Sequence, residues 1–435
     1  MRSQREDFPL DAVPRDSRAP GSLALFSVIL GIPSALVFLS VGGALQTAYG
    51  TASLLSGLLV ASVIIGIAGW ALTSYACRTG LDSDLMSIPL GFGRRGSALT
   101  SCIYAANFVV LFALEDGIIA SALQQQWPAI PKFVIFVGLA LVVLGLAWKG
   151  VSGLAPTMLV TFPVFAVLMI LLAHRTGDAS SVTEGFLQSG PSVTEIGAEG
   201  WLAVLAALLA FVVNATVAAD VGRFLRPEHR VRGAVLFGGV LQVTSFFGAT
   251  LFGGWLAWRL GGNSDPGSYL PGLLGAWGIL CVLVSQTRIN LINAYSGSLS
   301  AANFAARAFG WRIGRRHCMV ILVAVATALA MSDVYGNLVA VLTFEAIFVM
   351  AWVSVLVTNV WRDADHPNPE IEGAPDVEWV GVSALLLAVL IAAPLAFGAM
   401  GELGKAVAPL TAMIVASATT VVGDLMRVSR PVDAV

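Results

Sequence analysis

Charge is what this sequence has least of. Only 11% of its 435 residues are Asp, Glu, Lys or Arg, against about 25% in soluble domains, so the chain cannot clothe an ordinary water-facing surface. Histidine is nearly as scarce: His174, His229, His317 and His366 fall in or near expected loops, and no HExxH, Walker or GxSxG pattern occurs. The expectation is a protein that is not an enzyme and holds no metal and no cofactor. Four scattered cysteines, Cys77, Cys102, Cys281 and Cys318, form no CxxC pattern and read as small core residues, not disulfides or ligands. A net charge of −2 leaves no basic excess for a nucleic-acid partner. Residues 1–20 are polar and charged, so no signal peptide is expected, only a short tail before the first apolar stretch.

What the chain has instead is apolar length: 57% of it is hydrophobic. A helix crosses a bilayer with about 20 apolar residues. Twelve stretches qualify, at about 22–43, 52–77, 98–123, 132–148, 152–174, 201–219, 233–258, 270–304, 317–332, 335–360, 378–398 and 406–426. The expected fold class is therefore an all-α polytopic membrane protein with 12 transmembrane helices. Stretches eight and ten are long, which implies tilt or extension beyond the lipid. The acidic, Ser/Gly-rich segment 175–200 reads as a surface connection. With the N-terminus placed in the cytoplasm, 19 of the 24 Lys and Arg fall in inner segments and 4 in outer ones, leaving Arg288 inside the membrane. That asymmetry puts both termini on the cytoplasmic side of a cell membrane.

Polar groups inside such spans are costly and tend to line a path for substrate or ions. Span three carries Glu115 and Asp116. Phe108, Leu111, Phe112 and Glu115 recur at i, i+3, i+4 and i+7, an aromatic shelf beside a carboxyl that could stack a planar ring and bond its edge. The plainer reading is a protonated or backbone-bonded carboxyl with packed aromatics; for Asp116, about 100° around, capping or pairing with another helix is the expectation. Span eight carries Gln286, Thr287, Asn290, Asn293 and Gly297 at spacings of three and four. Amides suit a heterocycle edge, but they also glue helices. Arg288 lies about 200° around from Asn290, facing scaffold helices, and needs a carboxylate or carbonyls. Glu345 in span ten is open among three roles: partner of Arg288, proton acceptor, or helix-end group. In span six, Asn214 and Thr216 are polar inside lipid, and Asp220 and Arg223, at i and i+3, are expected to form a local ion pair. Pro33 in span one removes a backbone donor, so a break is expected at Pro33–Ala35.

Four motifs carry a resemblance. ILGIPSALVFLSVGGALQT contains the double glycine Gly42 and Gly43. CRTGLDSDLMSIPLGFGRRGS contains Thr79-Gly80-Leu81 and Phe92 to Ser97. AADVGRFLRP contains Ala219, Asp220, Arg223 and Phe224. INLINAYSGSLSAANF lies in span eight. In this order and spacing the chain resembles the nucleobase–cation symporter family of the purine–cytosine permease type over spans one to ten; the last two spans add nothing. The resemblance implies a LeuT-like fold of two inverted five-helix repeats, at 21–174 and 201–360, two further helices in 377–426, and tails at 1–20 and 427–435. It implies that spans one and six are broken and that spans three and eight complete a central site. It places Phe211 as the aromatic that stacks on the ligand, Leu111 where a stacking tryptophan is expected, with Phe112 next to it, and Glu115 where a ligand-binding glutamine can stand. Asn290 or Asn293 would be the ligand-binding asparagine. Thr287 and Arg288 occupy the positions of sodium-binding hydroxyls, so a proton, taken by Glu115 or Glu345, is favoured over sodium. The expected function is a secondary active importer of a nucleobase-like planar compound; the rivals are another solute on the same fold (an organic cation, a vitamin or an amino-acid-like solute) and a ligand-binding membrane sensor.

Overall fold

The structure, a computed structural model, describes residues 11–18, 34–148, 151–177, 185–191, 198–362, 371 and 373–428. Among these no strand occurs. The main helices are α1 Val37–Thr79, α2 Gly93–Gln126, α3 Lys132–Ala147, α4 Val151–Thr176, α5 Ala198–Leu208, α6 Val213–Gly222, α7 Leu241–Arg259, α8 Pro266–Leu274, α9 Ala276–Phe309, α10 Arg315–Ala330, α11 Leu338–Arg362, α12 Trp379–Ala396 and α13 Gly401–Val428. By length and composition, seven helical stretches among the described residues can cross a bilayer. The chain is a multi-pass membrane protein.

Spans two to twelve fall on described helices, with three differences. The end of span one, from Val37, shares α1 with span two, and residues 22–33 of span one lie outside the described residues. The 43 residues of α1 would reach about 65 Å if straight, twice the hydrocarbon thickness. The single non-helical residue Gly50 (φ 77°, ψ 165°) breaks it into two limbs, and a Cβ there would also lie 2.7 Å from the Pro191 carbonyl. Span six is interrupted by a 3₁₀ turn, Leu209–Val212, between α5 and α6, as expected of a broken helix. Span eight is preceded by the separate α8, cut off at Gly275 (φ 58°). Pro33, and the break placed on it, lies outside the described residues; regular helix begins at Val37.

Two packings frame the centre. The first limb of α1 lies against α7 at backbone distance, because Gly42 carries no side chain: a Cβ there would sit 1.8 Å from the Thr250 carbonyl oxygen. Gly43 is held likewise against Ser264, at 2.8 Å. Small residues give membrane helices this closeness. The second packing is α2 on α9, where a Cβ on Gly297 would lie 2.9 Å from the Phe108 Cβ. The helices α5, α6 and α11 close the core around Leu209, Phe211 and Trp352.

Candidate functional site

The first residues of α1 have backbone donors without helical acceptors among the described residues, and two polar side chains meet them. The Leu36 N–H donates to Gln286 Oε1 on α9 at 3.0 Å, and the Val37 N–H donates to the Glu115 carboxyl on α2. A carboxylate at a helix start is also favoured by the positive end of the helix dipole. Next door, Asn290 Nδ2 donates to Asp116 Oδ1 at 2.9 Å and to the Phe112 carbonyl at 3.3 Å. Asn293 Nδ2 donates to Asn290 Oδ1 at 3.0 Å. So spans three and eight do meet through their polar faces, as expected. All five side chains are buried, none more than 3% exposed. Asp116 takes the role of an interhelical partner. Asn290 and Asn293 are both drawn into that chain of bonds.

Four buried polar atoms of spans three, six and eight have no hydrogen-bond partner among the described residues: Glu115 Oε2, Asp116 Oδ2, Gln286 Nε2 and Asn214 Nδ2. Asn214 lies one turn beyond Phe211, just past the 3₁₀ interruption of span six. The Phe211 ring sits 4.9 Å from Phe38 and 5.7 Å from Phe246. Leu111 is half-buried against the same core.

Phe112 does not join them. Its ring is buried in a separate cluster with Val143, Leu291, Met319 and Leu322, so it cannot sandwich a ring against Phe211. Three residues before Glu115, it is rotated about 60° from it. On that edge α9 already covers its backbone through Asn290. The aromatic that does face the core from span three is Phe108, packed against Tyr104 with ring centroids 4.6 Å apart at a tilt of 45°.

The remaining candidates separate. Glu345 on α11 accepts from Asn107 Nδ2 on α2, and its second oxygen is buried without a partner. Arg288 is on another side, bordering a cavity of about 170 Å³ with Phe165, Leu168, Cys281 and Val284. Thr287 is half-buried. The expected local pair of Asp220 and Arg223 is replaced. The Arg223 salt bridge goes to Asp82 at 2.8 Å, with both side chains at most 10% exposed. Asp220 accepts from the Ser83 N–H and from Tyr104 Oη, each at 2.8 Å. The reason is that α6 ends at Gly222 and the turn Ser83–Met86 is wedged beside it. Burial raises the Asp82 carboxyl above its usual range, and Arg223 pulls it back down. Asp84 on the same turn accepts from Ser300 and Asn303 of α9, and Arg307 donates to the Asp84 carbonyl.

Residue-by-residue reading of the sequence missed Asn107, Asp82, Asp84 and the cluster at the far end of the bundle. There Tyr335 Oη donates to Asp265 Oδ1 at 2.8 Å and bonds Ser40 Oγ at 3.0 Å, while Ser121 donates to Asp265 Oδ2. Asn107 was findable: it stands eight residues before Glu115, at i, i+4 and i+8 with Leu111. The Asp265 cluster carried no such signal, because its four members come from four separate segments: Ser40 on α1, Ser121 on α2, Asp265 capping α8 and Tyr335 in the turn before α11.

No protein-family model matches the chain, and no curated protein does. Solved structures do. Inward-facing Mhp1 is similar at a TM-score of 0.70 and 13% identity, over 95% of this chain and 93% of that one. Mhp1, a nucleobase-cation-symport-1 family transporter, in a closed conformation with bromovinylhydantoin bound, gives 0.60 at 12% identity, covering 95% of each chain. A Na⁺-coupled sialic acid symporter in a substrate-bound outward-open state gives 0.63 at 13%, over 97% of this chain and 93% of that one. At these identities the likeness is one of fold. The chain has the LeuT-type fold.

Proposed function

We propose that the chain is a secondary transporter that carries a nucleobase-like planar nitrogenous compound by alternating access, with a proton as the coupling ion. One observation carries the reading: four polar atoms from spans three, six and eight are buried without a partner among the described residues, two of them on side chains that bond the first residues of α1. Unpaired polar groups away from water are expensive, and buried ones call for a functional explanation such as ligand binding. Glu115 Oε2 and Asp116 Oδ2 offer acceptors for N–H groups; Gln286 Nε2 and Asn214 Nδ2 offer donors for a carbonyl or ring nitrogen. A flat heterocycle presents both kinds on one edge. Phe211, backed by Phe38, supplies a face for its ring, and Leu111 a wall. Asn290 orients Asp116, and Asn293 orients Asn290.

Fold alone does not fix cargo, but the structural neighbours are named as transporters of small molecules, one with a hydantoin bound. For coupling, Glu345 supports the proton: its carboxyl links α11 to α2 through Asn107 and keeps one oxygen open for protonation. The sequence resemblance puts Thr287 and Arg288 at the positions of sodium-binding hydroxyls, which Arg288 cannot supply; its guanidinium turns to another side of α9, so the proton reading rests on Glu345.

Uptake of labelled nucleobases into cells lacking their own permeases, with and without sodium and across pH, tests both parts. The expected result is accumulation of at least one base, independent of sodium and stronger with an inward proton gradient. A sodium requirement would overturn the coupling; absence of uptake across the panel would overturn the cargo.

A further inference from the structure

At the arginine-rich end of the bundle a cavity of about 290 Å³ opens between the second limb of α1 and the end of α11. This is the small end of ligand-pocket sizes. Its polar side is made by Arg78, in the last turn of α1, and Arg230, which opens the short turn Arg230–Gly233. The Arg78 guanidinium lies over the Tyr75 ring at 5.1 Å. Arg230 is exposed and pairs with no carboxylate among the described residues. The other side is aromatic: Trp70 and Trp361 meet edge to face at 6.5 Å, 44% and 61% exposed. Exposed tryptophans at the ends of spanning helices mark the depth of the lipid headgroups.

A second cavity of about 440 Å³ is an apolar trough between α1 and α7, lined by Leu59, Val63, Ile67, Val243 and Phe247. Trp70 is a wall of both cavities. From Leu59 to Trp70 the trough follows about 16 Å of helix, close to one leaflet's share of the hydrocarbon core, about 15 Å. A basic pocket at headgroup depth thus adjoins an apolar channel of acyl-chain length. We propose that this composite site binds one anionic phospholipid, its phosphate held between Arg78 and Arg230 and an acyl chain laid along the Leu59–Trp70 face. Guanidinium groups suit phosphate through paired N–H donors, and basic pockets between spanning helices are a recognised way of holding acidic headgroups. The trough is what distinguishes a lipid from a free phosphate ion. The proposal stands apart from the cargo site, which shares none of these residues.

The test is thermal unfolding of the purified full-length protein in detergent, titrated with phosphatidylglycerol, phosphatidylcholine or inorganic phosphate. Only phosphatidylglycerol should stabilise the wild type at low concentration. Each arginine near the headgroup is expected to contribute about fivefold in affinity. Arg230→Gln, at an exposed position, should therefore raise the half-saturating lipid concentration by about fivefold, and the Arg78→Gln/Arg230→Gln pair by more. Arg94→Gln, which removes a surface charge at the same end of the bundle, should leave it unchanged. Equal protection by inorganic phosphate or by phosphatidylcholine would overturn the proposal, and so would an equal loss in Arg94→Gln and Arg230→Gln. If the double variant does not fold, Arg230→Gln alone decides.

Discussion

The two ends of the helix bundle are closed by different chemistry. At the arginine-rich end, three carboxylates and two guanidiniums interlock in a buried cluster: Asp82 with Arg223, Asp220 with Tyr104 and Ser83, Asp84 with α9, and Arg307 donating to Ser97 and Ser101. The turn Ser83–Met86 is thereby tied to both span six and span eight. At the opposite end a single carboxylate, Asp265, gathers three hydroxyls, two directly and Ser40 through Tyr335. Parting the first cluster would separate buried charges, which is costly when one partner is left alone. Parting the second requires only that a few hydroxyl bonds be exchanged for water, at about 1 kcal/mol for the neutral one and about 1.5–3 kcal/mol for each bond to the carboxylate. The contrast implies that the Asp265 end is the easier one to open, and that the arginine-rich cluster is a joint that moves as a unit.

The sharpest way to break that contrast is at Arg223. Arg223→Gln leaves Asp82 buried without its cation and should cost about 3–5 kcal/mol, seen as a large drop in melting temperature. Asp82→Asn/Arg223→Gln should recover much of the loss; a double variant as unstable as the single would mean the pair is not what holds the turn.

A smaller effect is expected from Tyr335→Phe, which removes the O–H donated to Asp265. Hydrogen bonds to charged groups are worth about 1.5–3 kcal/mol, so this end should open more often. Labelling of a Ser40→Cys reporter in a Cys102→Ser background should speed up with Tyr335→Phe, since Cys102 is the exposed native thiol. Unchanged labelling would mean that the hydroxyl cluster does not hold this end shut.

The smallest effect belongs to Arg94→Gln. Arg94 pairs with Asp376 at 2.8 Å, but both side chains are more than half exposed, and such pairs contribute about 0–1 kcal/mol. A shift in stability as large as that of Arg223→Gln would erase the distinction between buried and surface charge on which the comparison rests.

Much of the fold was legible because membrane spans announce themselves by apolar length. An irregular span six followed from the resemblance, and an interhelical role for Asp116 from helical periodicity; that its partner is Asn290 did not. Pairings brought by distant chain were not legible. Arg223 finds Asp82, 141 residues away, because a short turn intrudes where the helix ends, and i, i+3 spacing says nothing of such an intruder. Glu345 and Arg288 looked like natural partners by charge alone, yet Asn107 was the neighbour in space. Phe112 and Leu111 differ by one position, and only the path of α9 decides which of them faces the centre. Gly50 shows the same limit in backbone terms: one glycine at positive φ does the work expected of a loop.

The most direct test of the central site is counterflow of a transported nucleobase in proteoliposomes, wild type against Glu115→Gln, with melting temperature as the check on folding. Loss of a bond to a charged group corresponds to about tenfold or more. The expected result is a folded Glu115→Gln protein that exchanges at least about tenfold more slowly, or with an altered pH profile. Exchange at the wild-type rate, with the wild-type pH profile, would contradict a ligand site at Glu115 beside the start of α1.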